Sequence, residues 1–369
     1  MLHFLYISFI VPKKPSKADI TRFMKPEVRN LRAYTIDDTS IRIKLDAMEN
    51  PFSLPDDVKQ EIADAIKIAA INRYPDPSAA KLKVSIADLW GIGTQRMILG
   101  NGSDELIQSI ILAFGGPVLI PTPTFTIYGI LSRSLSQNVV TVPLGRNFDL
   151  DADKMLKTAK AVKAKIIFLA CPNNPTGNRF SDDAMLKILK RFNAAVVIDE
   201  AYFSFSGKTF LPMLKDYPNI IILRTLSKIG FAGLRIGVLT AAPKVVEYLN
   251  KIRLPYNINT LSQAAAVAAL RHKDVLNRQT SLLISARQRL YNALSQMNGI
   301  TVYPSESNFI LFRTTIDATP IYEKLKKSGI LITNLNRPGA LKNCLRVTVG
   351  TPEENGEFLK VLKNALDMV

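Results

Sequence analysis

Histidine and cysteine are nearly absent from this sequence: His3 and His272 are the two histidines, Cys171 and Cys344 the two cysteines. So few histidines argue against a histidine-based metal site, and no metal is expected. Neither cysteine belongs to a CxxC pair. A chain of 369 residues can build a core without disulfides, so a reducing, cytoplasmic setting is expected. Long hydrophobic runs are missing as well. The run LHFLYISFIV, residues 2–11, is too short to cross a bilayer. Its positive charges, Lys13 and Lys14, follow it instead of preceding it, and no small-residue cleavage site is obvious. It reads as a packing arm or an artefact of start-site choice, and no membrane association is expected. Acidic residues are in short supply, 31 Asp and Glu against 48 Lys and Arg, for a net charge of +17. The basic residues are scattered, without a tail or block, which argues against a nucleic-acid partner. The excess can still attract anionic substrates.

What is present is ordinary globular sequence, 47% hydrophobic and long enough for two domains. Residues 1–45 read as an N-terminal arm joining the smaller domain, 46–255 as a large domain and 256–369 as a small C-terminal one. In the large domain, Lys165–Ala170, Ala194–Ile198, Asn219–Leu223 and Arg235–Thr240 are short runs rich in Val, Ile and Leu. They read as parallel strands buried on both faces. Between the first two, Met185, Leu186, Ile188, Leu189 and Phe192 recur at helical spacing. Ser181 stands at the N-cap position, and Asp182 and Asp183 suit the positive end of the helix dipole. Strand, helix, strand implies an α/β fold with a mainly parallel sheet. After Pro255, helical patterns over 260–298 precede strands at Phe309–Arg313 and Leu345–Val349, a smaller α+β unit.

Ligands of open α/β sheets bind beyond the carboxyl ends of the strands, and polar residues cluster there. CPNNPTG (171–177) follows the first run; it is either a plain turn or a turn offering Asn173 and Asn174 amides to a crevice. Asp199-Glu200-Ala201-Tyr202 follows the second. Asp199 either caps a helix or, buried, needs a cationic partner such as a protonated pyridine nitrogen. Arg224-Thr225-Leu226-Ser227-Lys228 follows the third. Lys228 is either a surface lysine or a partly desolvated amine whose lowered pKa lets it attack an aldehyde. Thr225, Ser227 and the forked cation of Arg235 suit a phosphate. Earlier, Gly100-Asn101-Gly102-Ser103-Asp104 opens a helix, a ready anion site or simply a capped end. It lacks the GxxxxGK[ST] spacing of a nucleotide-binding loop.

The joint order of these signals, Gly-Ser-Asp, Asn-Pro-x-Gly, Asp-x-x-Tyr, Ser-Lys and Arg, resembles fold type I pyridoxal-phosphate enzymes, specifically the class I and II aminotransferases. The resemblance runs from about residue 28 to the end. It implies pyridoxal 5′-phosphate as cofactor, held by Lys228 as a Schiff base, with Lys228 later shuttling the substrate proton. It implies Asp199 at the pyridine nitrogen and Tyr202 and Asn174 at the ring's phenolic oxygen. Gly102, Ser103, Asp104, Thr225, Ser227 and Arg235 would lie around the phosphate. Phe125, in PTPTFTIYG, stands where the family stacks a tyrosine on the ring. Tyr74, in RYPDP, resembles the tyrosine that reaches into a neighbouring subunit's site, which implies a homodimer.

Within that class, several segments are similar to those of the histidinol-phosphate aminotransferase family: Arg29 to Tyr34, Met48-Glu49-Asn50-Pro51-Phe52, Ser307 to Leu311 and Cys344 to Gly350. The likeness places Tyr34, Asn174 and Arg346 at the substrate, Arg346 binding an anionic group through its fork. It implies exchange between L-histidinol phosphate and 2-oxoglutarate. One position departs from the pattern. Thr333 stands where the family places an arginine for the substrate phosphate, and Arg337, four residues on, is either its substitute or an exposed loop cation. The departure keeps open an aromatic-amino-acid aminotransferase. A phosphothreonine decarboxylase-like enzyme shares the motifs, and a basic binding protein without catalysis is the reading from another class.

Overall fold

The computed structural model describes residues 20–31 and 41–367. The 2–11 run and Tyr34 lie outside the described residues. Among the described residues thirteen strands carry the architecture: β1 (Ile43–Lys44), β2 (Met97–Asn101), β3 (Val118–Thr122), β4 (Val139–Pro143), β5 (Ile166–Ala170), β6 (Ala195–Asp199), β7 (Ile220–Thr225), β8 (Ile236–Ala241), β9 (Ile300–Val302), β10 (Phe309–Thr314), β11 (Ile330–Leu331), β12 (Thr333–Asn334) and β13 (Cys344–Thr348).

Seven of them form one sheet in the order β2-β8-β7-β6-β5-β3-β4. Strands β3 to β7 pair in parallel. Strand β8 runs antiparallel to both β7 and β2, which corrects the reading of the fourth run as a parallel strand. The cause is the connection. Residues 226–235 make two short 3-10 turns, and a parallel return needs about a dozen residues or more, usually through a helix. The apolar pattern could not show this, because β8 is buried along its whole length like its parallel neighbours. Successive residues of β5 alternate between two cores. Ile166, Phe168 and Ala170 pack with the Ser103–Phe114 helix, while Ile167 and Leu169 pack with the Ala152–Val162 and Asp182–Arg191 helices. That is the period of two expected of a strand covered on both faces. Ser181 does stand at the N-cap of the Asp182–Arg191 helix, but its side chain makes no cap bond.

A second, antiparallel sheet has the order β12-β13-β10-β9. It shares a core with the Lys273–Ser295, Ala318–Lys327 and Pro352–Leu366 helices. The last of these starts with a complete capping box between Thr351 and Glu354. Strand β1 pairs in parallel with β11 in a separate two-stranded sheet, and Ile43, Ile330 and Leu331 of that pair pack into the core of the second sheet. No helix among the described residues is long and apolar enough to cross a membrane.

At the carboxyl end of β6 sits a buried ion pair. Glu200 accepts hydrogen bonds from Arg224 Nε at 3.0 Å and Nη2 at 2.8 Å, and Thr209 and the Phe210 amide also donate to it. Arg224 lies 3.6 Å from the centre of the Phe203 ring. Removing one member of such a pair strands the other charge. Glu200→Ala should therefore cost about 3–5 kcal/mol, read as a lower urea midpoint; an unchanged midpoint would show that the pair is dispensable.

Candidate active site

The strand order reverses between β3 and β5, and the crevice of an open α/β sheet falls at such a point. There, beyond the carboxyl ends, lies a cavity of about 220 Å³. Its lining includes Ser103, Asp104, Phe125, Asn174, Asp199, Tyr202, Thr225, Ser227, Lys228 and Arg235. Residues scattered over more than a hundred positions of the chain thus meet because they end or follow strands of one sheet, or, like Arg235, precede the antiparallel β8.

Asp199 ends β6 and is buried. Its Oδ2 accepts a 2.6 Å hydrogen bond from the Tyr128 hydroxyl, and its Oδ1 accepts from the Ala201 amide at 3.0 Å. Burial pushes its pKa up to about 6, against the pull of the Tyr128 bond. Such a carboxylate is stabilised by a cation placed beside it.

Lys228 sits in the 3-10 turn Ser227–Ile229 after β7. Its Nζ donates to the Ala47 carbonyl at 3.3 Å and lies 5.7 Å from the centre of the Tyr202 ring. Burial, and then the neighbouring Arg346 charge, brings its pKa down to about 8. The neutral, nucleophilic amine is therefore far more populated near neutral pH than in an exposed lysine. The Asn174 amide donates to the Tyr202 hydroxyl at 3.2 Å, and burial raises the Tyr202 pKa so that the phenol keeps its proton.

The opposite end is built for an anion. Thr225 Oγ1 donates to Ser227 Oγ at 2.9 Å and accepts from the Ser227 amide. The Ser103–Phe114 helix presents its N-terminus there. Arg235, in the left-handed region at φ 54, is 3.5 Å from Asp104, and its carbonyl accepts from the Gly102 amide at 2.7 Å. Glycine is required at 102, where φ is 80 and a Cβ would lie 2.5 Å from Arg235 Nη2. It is required again at 237, where a Cβ would strike the Gly102 backbone at 2.5 Å.

Other expected residues fall elsewhere. Tyr74 is 81% exposed and stacks on Tyr256, with ring centres 4.5 Å apart, and does not line the cavity of its own chain. Arg337 is exposed on a loop and is not part of the lining. Arg346, 7% exposed, donates from Nη1 to Asn174 Oδ1 at 2.5 Å, just behind the lining. Tyr128 was missed. It stands three residues after Phe125 on the Thr126–Ser134 helix, with ring centres 5.4 Å apart. One helical turn on from a site residue is the signal that could have found it.

An amine of lowered pKa, a buried carboxylate and an anion cradle in one cavity suit an anionic aldehyde that also carries a basic nitrogen. Comparison with known proteins places that site in a family. The family model "Aminotransferase class I and II" matches residues 40–362. Histidinol-phosphate aminotransferase 2 of Nitrosococcus oceani is 44% identical over 354 residues, covering 94% of this chain and 98% of that one. Histidinol-phosphate aminotransferase of Vesicomyosocius okutanii is 42% identical over 347 residues, covering 93% and 98%. Among solved structures, histidinol-phosphate aminotransferase from Sinorhizobium meliloti in complex with pyridoxal-5′-phosphate superposes with a TM-score of 0.84 at 25% identity, covering 94% and 98%. The chain belongs to the class I and II aminotransferases.

The Asp199 geometry makes a prediction. Its folded pKa of about 6 lies above the unfolded value of about 3.9. Its contribution to stability is therefore full below about pH 4 and is lost as pH rises through about 6. In ligand-free protein, the unfolding free energy of wild type relative to Asp199→Asn should fall by ~2 kcal/mol from pH 4 to pH 7. In Tyr128→Phe, which lacks a bond that favours the charged form, the fall should extend to higher pH. A difference that is flat with pH would refute the assignment.

Proposed function

We propose that this chain is a pyridoxal-phosphate-dependent aminotransferase that acts on L-histidinol phosphate, with 2-oxoglutarate as acceptor and imidazole-acetol phosphate and L-glutamate as products, a step of histidine biosynthesis. The observation that carries the chemistry is the Lys228 amine of lowered pKa, which lines one cavity with Asp199 and the anion cradle. The substrate assignment draws on the full-length likeness to relatives named for that activity.

The residues present fit the cofactor. Asp199 would pair with its ring nitrogen, Tyr202 and Asn174 with its phenolic oxygen, and Phe125 with its ring face. Gly102, Ser103, Asp104, Thr225, Ser227 and Arg235 would surround its phosphate. When bound, pyridoxal phosphate supplies an electrophilic aldehyde and an electron sink that acidifies the substrate Cα–H bond. Asp199, held as a carboxylate by Tyr128, keeps a positive charge opposite itself. Lys228 Nζ, once free, accepts the proton from the substrate Cα, which its pKa of about 8 equips it to do. Arg346 receives the anionic group of the substrate, a carboxylate in the glutamate half-reaction. One product leaves before the second substrate enters, so kinetics are ping-pong.

We read residues 1–45 as an arm joining the smaller domain, 46–255 as the cofactor domain and 256–369 as the smaller domain. The pairing of β1 with β11 supports the first boundary. We read the enzyme as a cytoplasmic homodimer in which Tyr74 serves the neighbouring site. Its exposure, with Ile68, Ile71 and Leu254 also largely exposed, supports a partner surface.

Holoenzyme mixed with L-histidinol phosphate and no keto acid should convert to the pyridoxamine form, followed by absorbance, and Lys228→Ala should abolish the conversion. Conversion by phenylalanine alone would move the substrate to the aromatic class, which Thr333 favours. Carbon dioxide release from phosphothreonine would move the reaction to decarboxylation. Mixing Tyr74→Phe and Lys228→Ala subunits should restore part of the activity lost in each; no recovery after proven subunit exchange would exclude shared sites.

A further inference from the structure

Thr333 lies on β12 directly opposite Arg346 on β13, and opposed residues of antiparallel strands share a face. Its Oγ1 accepts a hydrogen bond from Arg346 Nη2 at 2.9 Å and donates one to the Asp46 carbonyl at 3.1 Å. That carbonyl also accepts from Arg346 Nη2 at 2.9 Å. Threonine hydroxyl, backbone carbonyl and guanidinium nitrogen close a triangle. At the other end of the guanidinium, Nη1 donates to Asn174, and Asn174 donates to Tyr202. The Phe309 ring lies 5.2 Å from the guanidinium carbon.

We infer that Thr333 is a positioning residue, which fixes the plane of the Arg346 guanidinium for an incoming substrate anion. The role needs one group that accepts and donates at once, which a hydroxyl does and an alkyl group cannot. Thr333 therefore replaces a second cation at this end of the cavity with a device that orders the first. Without the hydroxyl, Nη2 keeps the Asp46 carbonyl but loses its second acceptor, and a less ordered Arg346 must be ordered by each substrate, which weakens binding and leaves the chemical step alone. The inference rests on the reading of Arg346 as the substrate-anion residue.

The test is the glutamate half-reaction of holoenzyme, single turnover, in wild type, Thr333→Val, Thr333→Ser and Arg346→Lys. Thr333→Val should raise the half-saturating glutamate concentration about tenfold, the size of one lost hydrogen bond to a charged group, and keep the limiting rate within about twofold. Thr333→Ser should stay within about twofold of wild type in both. Thr333→Ala carries the same expectation as valine should valine crowd the Asp46 carbonyl. The inference is overturned by unchanged saturation in valine and alanine variants, by a loss confined to the limiting rate, or by a serine variant as impaired as valine. Arg346→Lys separates the two levels. If it leaves saturation unchanged, Arg346 is not the anion residue and the parent reading falls; if it raises saturation and Thr333→Val does not, Thr333 alone is misassigned.

Discussion

Charge buried at the carboxyl edge of an apolar sheet is the constraint on which this structure turns. Strands β5 to β7 are covered on both faces and have no polar positions to spare along their length. Where they end, Asp199 and Glu200 on one strand and Arg224 and Thr225 on the next go into the interior together. A strand sends successive side chains to opposite sides, and the two pairs separate accordingly. Glu200 and Arg224 neutralise each other behind the sheet edge, while Asp199 and Thr225 open into the cavity. One pair carries the burden of holding the edge together. The other is left free for a ligand.

That division explains the opposite protonation tendencies in the cavity. Asp199 has a phenol and an amide as partners, which favour its charge less than burial opposes it, so its pKa rises. Lys228 is half-buried, its amine desolvated near the positive Arg346, and its pKa falls. In both groups the charged form is disfavoured relative to water, and a ligand that brings compensating groups offsets that cost. A cavity of this kind binds a charged cofactor partly because binding relieves its own strained electrostatics.

The surroundings of Arg346 are assembled differently. Arg346 comes from the second sheet, Asn174 from a loop of the first, and Asp46 from the segment that leads out of β1. One guanidinium thus ties together groups carried by the two sheets and by the segment after β1.

Much of this was legible in the chain. Apolar runs bounded by turn residues marked β5, β6, β7 and β8 to within one or two residues, since buried strands have a composition of their own. The residues just after them could be read as a site because an open α/β sheet exposes that edge. The direction of β8 was not legible, because burial is the same in either direction and only the short 226–235 connection decides it. Tyr128 and Glu200 were passed over because their importance lies in which buried atom they meet, and no local pattern encodes that. Thr333 looked in the sequence like a missing cation. Only the pairing of β12 with β13 places its hydroxyl on Arg346 and shows what stands in the cation's place. Local sequence determined which segments are strands and which residues are chemically able; the tertiary structure decided their partners, because hydrogen bonds and desolvation depend on distances that close only when the sheets pack.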